Sequence, residues 1–428
     1  MKSVMTSAMS TVSTAENPDL FVDTLIVGAG LIGSAVAMHL ALKGVKNVRV
    51  VDFDLEGSLS SSELNAGGVR ATWYQPVNIA MSKLSIEYFA KVADDVGYRA
   101  CGYLWLKTPE TMPFALKARE RQIEMGWPVE AWDVAELKRR VPFIDKTDDL
   151  AGAIFAPRDG LVNPNLLKNH YRTRARELGV VFVDRTLVES ASHGADGVRV
   201  IARQLHSPAF HEAKLAVLSG QASHEGLPWT RTEYQAKRVI NCAGPWAPKV
   251  AEILGYACPS KPVRRQVCIF DCRDVDLTPF GMIVDSSGVY FHPEATNGLA
   301  GFATAGEPEG INYEYDGENF FMEQIWPSLY ERSSKFERLK HLTGWAGLYE
   351  VSPDESAIIG KVESGDVGKS GRVFEAHSFS GHGAMHSYAT GLLMAELMVD
   401  GRYSTVDASI LSASRFERGE SVRESLVI

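Results

Sequence analysis

No apolar run in this sequence reaches the roughly 18 residues that a membrane-crossing helix needs. Basic blocks are missing too. Stretches such as "KRRV" and "VRRQV" are short, and the net charge is −9, a balance that argues against a nucleic-acid partner. Cysteine is scarce: Cys101, Cys242, Cys258, Cys268 and Cys272 are scattered and form no C-x-x-C pair, and no His-rich metal spacing occurs. Free thiols in a reducing cytoplasm are expected, with no disulfide framework and no metal. The first twenty residues are Ser/Thr-rich, with neither an apolar stretch nor an arginine. No signal or transit peptide is expected there, and residues 1–19 are read as a disordered N-terminus.

What is present is an ordinary globular composition, 45% hydrophobic and 23% charged, on 428 residues. That length allows a large core and favours two domains. Regular structure is expected from about Asp23. Leu25–Val27 reads as a short buried strand, Leu31–Leu42 as a helix stopped by Gly44, and Val48–Val51 as a second strand. Such a βαβ unit has parallel strands and a right-handed crossover. A polar loop, 57–68, precedes an amphipathic helix over Pro76–Asp94. "CGYLWLKT" reads as a strand and "MPFALKARERQIEMG" as a helix, while 268–304 alternates as antiparallel sheet does. Residues 203–236 show no clear period and are expected to form an irregular surface excursion. The fold class is α/β, with a dinucleotide-binding domain in discontinuous pieces and an inserted sheet domain.

The strongest motif is Gly28-Ala29-Gly30-Leu31-Ile32-Gly33, which matches G-x-G-x-x-G between a strand and a helix. Gly28 permits the tight turn, Gly30 clears space for a pyrophosphate, and Gly33 allows close helix–strand packing at a positive helix N-terminus. Asp52 ends the second strand where a carboxylate can accept from ribose hydroxyls. Asp54 is the competing acid, and Phe53 lies between them.

Four further stretches make the sequence resemble the D-amino-acid oxidase superfamily of FAD-dependent oxidoreductases, and within it the sarcosine oxidase-like proteins. "SSSELNAGGVRATW" (60–73) resembles the loop that wraps the flavin. "GLVNPNLLKNHYRTRARELGVVF" resembles the helix before the adenine-side strand. "RVINCAGPWAPKVAEILG" resembles the second glycine turn. "LTGWAGLYEVSPDESAIIG" with "SFSGHGAMHS" resembles the C-terminal flavin-binding pair. The resemblance runs from about Asp23 to Gly419. It implies an FAD domain made of 20–98, 157–251 and 345–428, a substrate domain made of 99–156 and 252–344, and the flavin between them.

The resemblance implies site residues as well. Ser61, Ser62, Gly67 and Gly68 would line the flavin loop, and Val188 the adenine side. Ala243, Gly244 and Trp246 would contact FAD at the second turn. Gly381, His382, Gly383, Ala384 and Met385 would lie against the ring, where free N–H groups and a helix dipole oppose charge on the reduced flavin. Arg70 aligns with an arginine that grips a substrate carboxylate, and Tyr349 with a tyrosine beside flavin and substrate. His382 is a weaker candidate for acid–base work. The activity implied is oxidation of a small amine or amino acid at the carbon next to nitrogen, with oxygen or an electron carrier as acceptor. The alternative is a non-catalytic flavoprotein acting as an assembly or scaffold subunit.

Three positions depart from the pattern. Gly347 stands where sarcosine oxidase-like enzymes attach FAD to a cysteine, and Asn65 and Ala66 stand where relatives use a histidine. Non-covalent FAD is therefore expected. Ala300 aligns with a lysine that assists oxygen reduction, so slow reoxidation by oxygen is expected. Met385 replaces a second carboxylate-binding lysine, with His386 beside it.

Overall fold

The computed structural model describes residues 20–206, 210–220 and 227–425. The expected disordered stretch, 1–19, lies outside them. Two eight-stranded sheets organise the chain. In the first, the strands run in the order Ile358–Lys361, Val373–His377, Trp229–Asn241, Leu20–Val27, Val48–Val51 and Val181–Val183. Neighbours from Val373–His377 to Val181–Val183 are parallel, as buried apolar strands joined by helices must be. Ile358–Lys361 adds an antiparallel edge.

Within 203–236, the described residues 203–206, 210–220 and 227–236 correct the expectation of an irregular excursion, while 207–209 and 221–226 lie outside the described residues. Gly197–Leu205 pairs antiparallel with both Thr186–Gly194 and Trp229–Asn241. Between them lies the helix Phe210–Leu218. The strand Trp229–Asn241 pairs with Gly197–Leu205 from Trp229 to Ala236 and with Leu20–Val27 from Tyr234 to Asn241. Its inward residues are Thr232, Tyr234 and Ala236. Polar outward neighbours mask them in the sequence.

The second sheet runs Lys340–Val351, Lys261–Asp271, Asn297–Phe302, Tyr290–Glu294, Met282–Val284, Tyr103–Lys107, Gly152–Ala156 and Glu130–Trp132. All its pairs are antiparallel except Met282–Val284 with Tyr103–Lys107. Lys340–Val351 belongs to this sheet throughout, so the domain boundary expected at 345 falls within a strand. One face of the sheet, including Tyr103, Val267, Met282 and Tyr290, joins the same core as the helix Leu31–Leu42. The other face, with Leu104, Phe270, Phe291 and Ala300, forms a separate core under Phe321 and Phe336. Each fully buried side chain of this kind contributes roughly 1.5–3 kcal/mol.

The helix Leu31–Leu42 forms as its periodicity predicts. The helix expected over Pro76–Asp94 ends at Lys91, because Val92 (φ −123°, ψ 32°) leaves helical geometry before a short turn, Ala93–Val96. The C-terminal helix Gly383–Asp400 crosses Leu31–Leu42 closely. A Cβ added at Gly391 would lie 2.6 Å from the Ala35 carbonyl oxygen. This contact fixes the two helices against each other. The N-terminal ends of both, Leu31 and Gly383, open on one groove. No described helix is long and apolar enough to cross a membrane.

Candidate cofactor and substrate site

That groove has a volume of about 800 Å³, at the upper end of the roughly 300–1,000 Å³ of small-molecule sites. One end is built by the first glycine turn. Gly28 has φ +103°, and a Cβ there would lie 2.3 Å from the Cys242 carbonyl oxygen. A Cβ at Gly33 would lie 1.9 Å from the Gly28 carbonyl oxygen. Gly30 faces Ser62, whose Oγ accepts from the Leu31 N–H at 2.9 Å. Gly28, Gly30, Leu31, Ile32 and Ser62 line the groove; Ala29 and Gly33 stand behind it as packing.

The structure separates the two competing acids. Asp52 accepts from Ala29 N at 2.6 Å and Asp54 N at 2.8 Å, so it buttresses the glycine turn. Burial pushes its carboxyl upward, while these N–H donors pull it back. Asp54 also reaches the groove, but it is committed to Ser58 at 3.1 Å and Lys214 at 3.1 Å. Phe53 packs edge-on to Phe210 at 5.3 Å and stacks with Trp229 at 6.1 Å. The helix Phe210–Leu218 and the start of the strand Trp229–Asn241 thus wall this end, with Val188 and the 217–220 stretch lining it. Trp246 Nε1 donates to Leu218 O at 2.8 Å and ties the second glycine turn to the end of that helix. Ala243 and Gly244 line the middle of the groove.

The far end is formed by a strained turn. Ser378 (φ 61°), Ser380 (φ 50°) and Gly381 (φ 92°) all lie in the left-handed region. A Cβ at Gly381 would lie 2.4 Å from the Tyr349 ring, so glycine lets ring and turn touch. Ser380 N donates to Glu350 O at 3.0 Å, and Ser352 N to Ser380 Oγ at 3.2 Å, which pin the turn to the strand Lys340–Val351. Strain of this kind clusters at active sites and ligand clamps. Gly381, His382, Gly383, Ala384 and Met385 line the groove here, together with Ser61, Gly67, Gly68, Arg70 and Tyr349.

Arg70 is deeply buried. Its guanidinium lies 3.4 Å from the Trp73 ring centre and 4.8 Å from that of Trp105, and Nη1 donates to Thr72 O at 2.8 Å. Burial lowers its pKa to about 10, and Tyr103, Glu424, Asp159 and Tyr349 act in the opposite sense. It therefore stays a cation at neutral pH. Below it, Asp159 Oδ1 accepts from Ala71 N at 2.9 Å and Trp127 Nε1 at 2.8 Å. Burial raises that carboxyl to about 7.

His382 packs against Trp73 with ring centres 4.2 Å apart and tilted by 60°, and its Nδ1 has no partner among the described residues. Burial, then Arg70 and His386, push its pKa well below the usual histidine value. His386 is held to about 3 by burial and does not line the groove. Both rings are neutral and weakly basic.

Several groove residues escaped the sequence reading. Tyr103, Met282 and Tyr290 come from the second sheet, where nothing in the sequence separates them from ordinary core aromatics. Glu350 lines the groove next to Tyr349. Its only sequence signal is one acid inside an apolar strand.

The reading of Ala300 is corrected. Ala300 pairs with Cys268 and Phe291, and all three lie in the outer core, away from the groove. The side chain at 300 does not reach the site, so its size and charge give no ground for slow reoxidation. Gly347 is also screened from the groove: a Cβ there would lie 3.0 Å from the Leu64 Cβ. Asn65 is occupied within its own loop, donating to Ser61 O and Ser62 O and accepting from Gly67 N.

A long groove with a glycine-rich helix start at one end and a strained turn and second helix start at the other suits an extended dinucleotide. Residues 23–397 match the DAO family, FAD dependent oxidoreductase. The chain belongs to this family. It is 30% identical to FAD-dependent oxidoreductase domain-containing protein 1 of Xenopus laevis, across 97% of this chain and 86% of that protein. It is 24% identical to monomeric sarcosine oxidase of Bacillus sp. (strain B-0618), across 95% of this chain and 99% of that protein. Its fold is similar to that of L-proline dehydrogenase from P. horikoshii, with a TM-score of 0.78 at 22% identity, over 94% of this chain and 100% of that one. This member of the DAO family is an FAD-dependent oxidoreductase. The groove fits the cofactor: its glycine turns leave room for a backbone-hugging chain, and buried polar atoms of His382 and Glu350, which line it, have no partner among the described residues.

Proposed function

We propose that this protein oxidises a small amine or amino acid at the carbon next to nitrogen, giving an imine that hydrolyses. The observation that carries this reading is Arg70, a buried cation on the groove wall beside Tyr349 and the Gly381 turn. Bound FAD supplies a two-electron acceptor. Everything else falls to the protein. Gly28, Gly30 and the start of Leu31–Leu42 hold the pyrophosphate, Asp52 the ribose, and Gly381–Met385 the flavin ring. Arg70 binds a substrate carboxylate, since a guanidinium fork matches its two oxygens. Its charge also disfavours an ammonium nearby, so the substrate is held as the neutral amine whose lone pair assists loss of hydride. Tyr103, Tyr290 and Tyr349 are buried with hydroxyl pKa values raised by burial, so they act as neutral hydrogen bonders. With His382 neutral and weakly basic, no strong base is needed, and positioning supplies the main advantage.

Turnover with an electron-accepting dye tests this reading. Amino acids, N-methyl amino acids and simple amines form the panel, and a hydrazine traps the carbonyl product. Dye reduction and hydrazone should appear in equal amounts with at least one of them. Turnover with hydroxy acids alone would replace the reading.

FAD is expected to be held without a covalent bond, because Gly347 and Asn65 offer no attachment atom. Acid precipitation should leave the yellow colour in the supernatant. Colour that stays in the pellet after washing contradicts this.

A further inference from the structure

Glu350 is a buried acid whose position the chemistry above does not use. Its Oε1 takes only a 3.4 Å contact from Phe379 N, and its Oε2 has no partner among the described residues. Oε2 lies under the second glycine turn: a Cβ at Gly244 would be 2.9 Å from it. Both residues line the cofactor groove. Asp52, the acid beside the first glycine turn, has one backbone N–H on each oxygen. Glu350 is thus one donor short, at a place where the turn is stripped of side chain.

The groups facing Glu350 offer one cation, His377, and that cation is shared with Glu375. Cys242, on the strand Trp229–Asn241, is a neutral thiol whose pKa burial drives far up. Burial lowers the pKa of His377, on Val373–His377, but hydrogen bonds to Cys258 and Glu375 raise it to about 10; its nitrogens lie on Ser378 at 2.7 Å and Glu375 at 3.1 Å, so Glu375 takes most of its charge. Phe379 and Ser380 offer backbone only. Lys249 reaches the groove from the helix Ala247–Leu254, but it is exposed and pairs with Glu252 at 2.7 Å. An ionised Glu350 would therefore have only a share of one cation, already paired with Glu375, and would sit buried beside an anionic cofactor.

We propose that Glu350 is a cofactor ligand that holds FAD as a neutral carboxylic acid, with Oε2 donating a hydrogen bond to an oxygen of the chain between flavin and pyrophosphate. A protonated carboxyl supplies the donor that ribityl hydroxyls and phosphate oxygens accept, which a carboxylate cannot. Burial already raises Glu350 to about 7, mainly opposed by Phe379 N and then His377. Bound FAD holds the proton more tightly still, so loss of that proton at alkaline pH loosens the cofactor.

Equilibrium dialysis of the holoenzyme from pH 6 to 9.5, with free FAD read by fluorescence, tests this without any substrate. In the wild type the FAD dissociation constant should rise above neutral pH, approaching tenfold per unit, whereas Glu350→Gln, which keeps a donor, should bind FAD with a clearly smaller step. Glu350→Ala should bind roughly tenfold more weakly below pH 7. Asp159 titrates in the same window near Arg70, but its contribution persists in Glu350→Gln and so separates. An alkaline step of equal size in Glu350→Gln and wild type overturns the proposal, as does wild-type affinity in Glu350→Ala. Because the readout is FAD binding, these results stand apart from whether amines are the substrate.

Discussion

Gly33→Ala protein is expected to purify folded and nearly colourless. The added methyl would sit 1.9 Å from the Gly28 carbonyl oxygen and 3.3 Å from the Cys242 Cβ. The first contact is backbone, so no rotamer relieves it. The helix Leu31–Leu42 must back away from the strand Leu20–Val27, yet Gly391 of the C-terminal helix blocks retreat on the other side. The turn that carries the phosphate-binding N–H groups is displaced as a result. Overpacking of this kind costs roughly 1–3 kcal/mol of stability, and the FAD-to-protein ratio should fall by roughly tenfold or more, since one charged hydrogen bond to phosphate is worth that much. Absorbance of the purified protein and a thermal melt measure both. Gly44→Ala is the control. Gly44 has φ +83° and open space around it, so that variant should lose some stability and keep its flavin. A wild-type flavin ratio in Gly33→Ala would contradict the packing account.

The second large effect is expected at Arg70. A charged hydrogen bond is worth roughly 1.5–3 kcal/mol, or about ten- to a hundredfold in binding. Arg70→Ala should raise the substrate KM by that order while FAD stays bound. The burial of Arg70 between Trp73 and Trp105 means that alanine also leaves a cavity. Two further measurements separate the charge from the cavity. Arg70→Lys should recover part of the affinity, since an ammonium lacks the fork. The methyl ester of the best substrate should lose about as much in the wild type as the acid loses in Arg70→Ala. It should lose little more in the variant. Equal activity on acid and ester in the wild type would return Arg70 to a structural role.

The parts of this site that were legible in the sequence are those specified locally. Gly28, Gly30, Gly33 and Asp52 sit at fixed spacings around one strand–turn–helix, and each glycine answers a steric demand within that unit. The groove wall at 203–236 was not legible. Its long strand is buried on one side only, so Thr232, Tyr234 and Ala236 alternate with Arg231, Glu233 and Gln235 and read as polar loop. Ala300 failed for a related reason. Side chains alternate along a strand, so an alignment that places a function at 300 must be right to one residue, and here Ala300 faces the outer core while Leu299 faces the inner one. Glu350 is invisible for a third reason. Its meaning depends on Gly244, more than a hundred residues away, and on the absence of a partner that only packing defines.

The proposed reaction passes electrons from a small amine to FAD in this groove. Anaerobic mixing of the purified yellow protein with a panel of amino acids, N-methyl amino acids and simple amines tests it most directly, because only binding and reduction contribute to the signal. At least one amine should bleach the visible flavin absorbance to completion, faster as pH rises and the neutral amine increases, and Arg70→Ala should need a higher concentration of a carboxylate-bearing one. A flavin that dithionite reduces fully but that no amine on the panel bleaches at any pH would contradict the account.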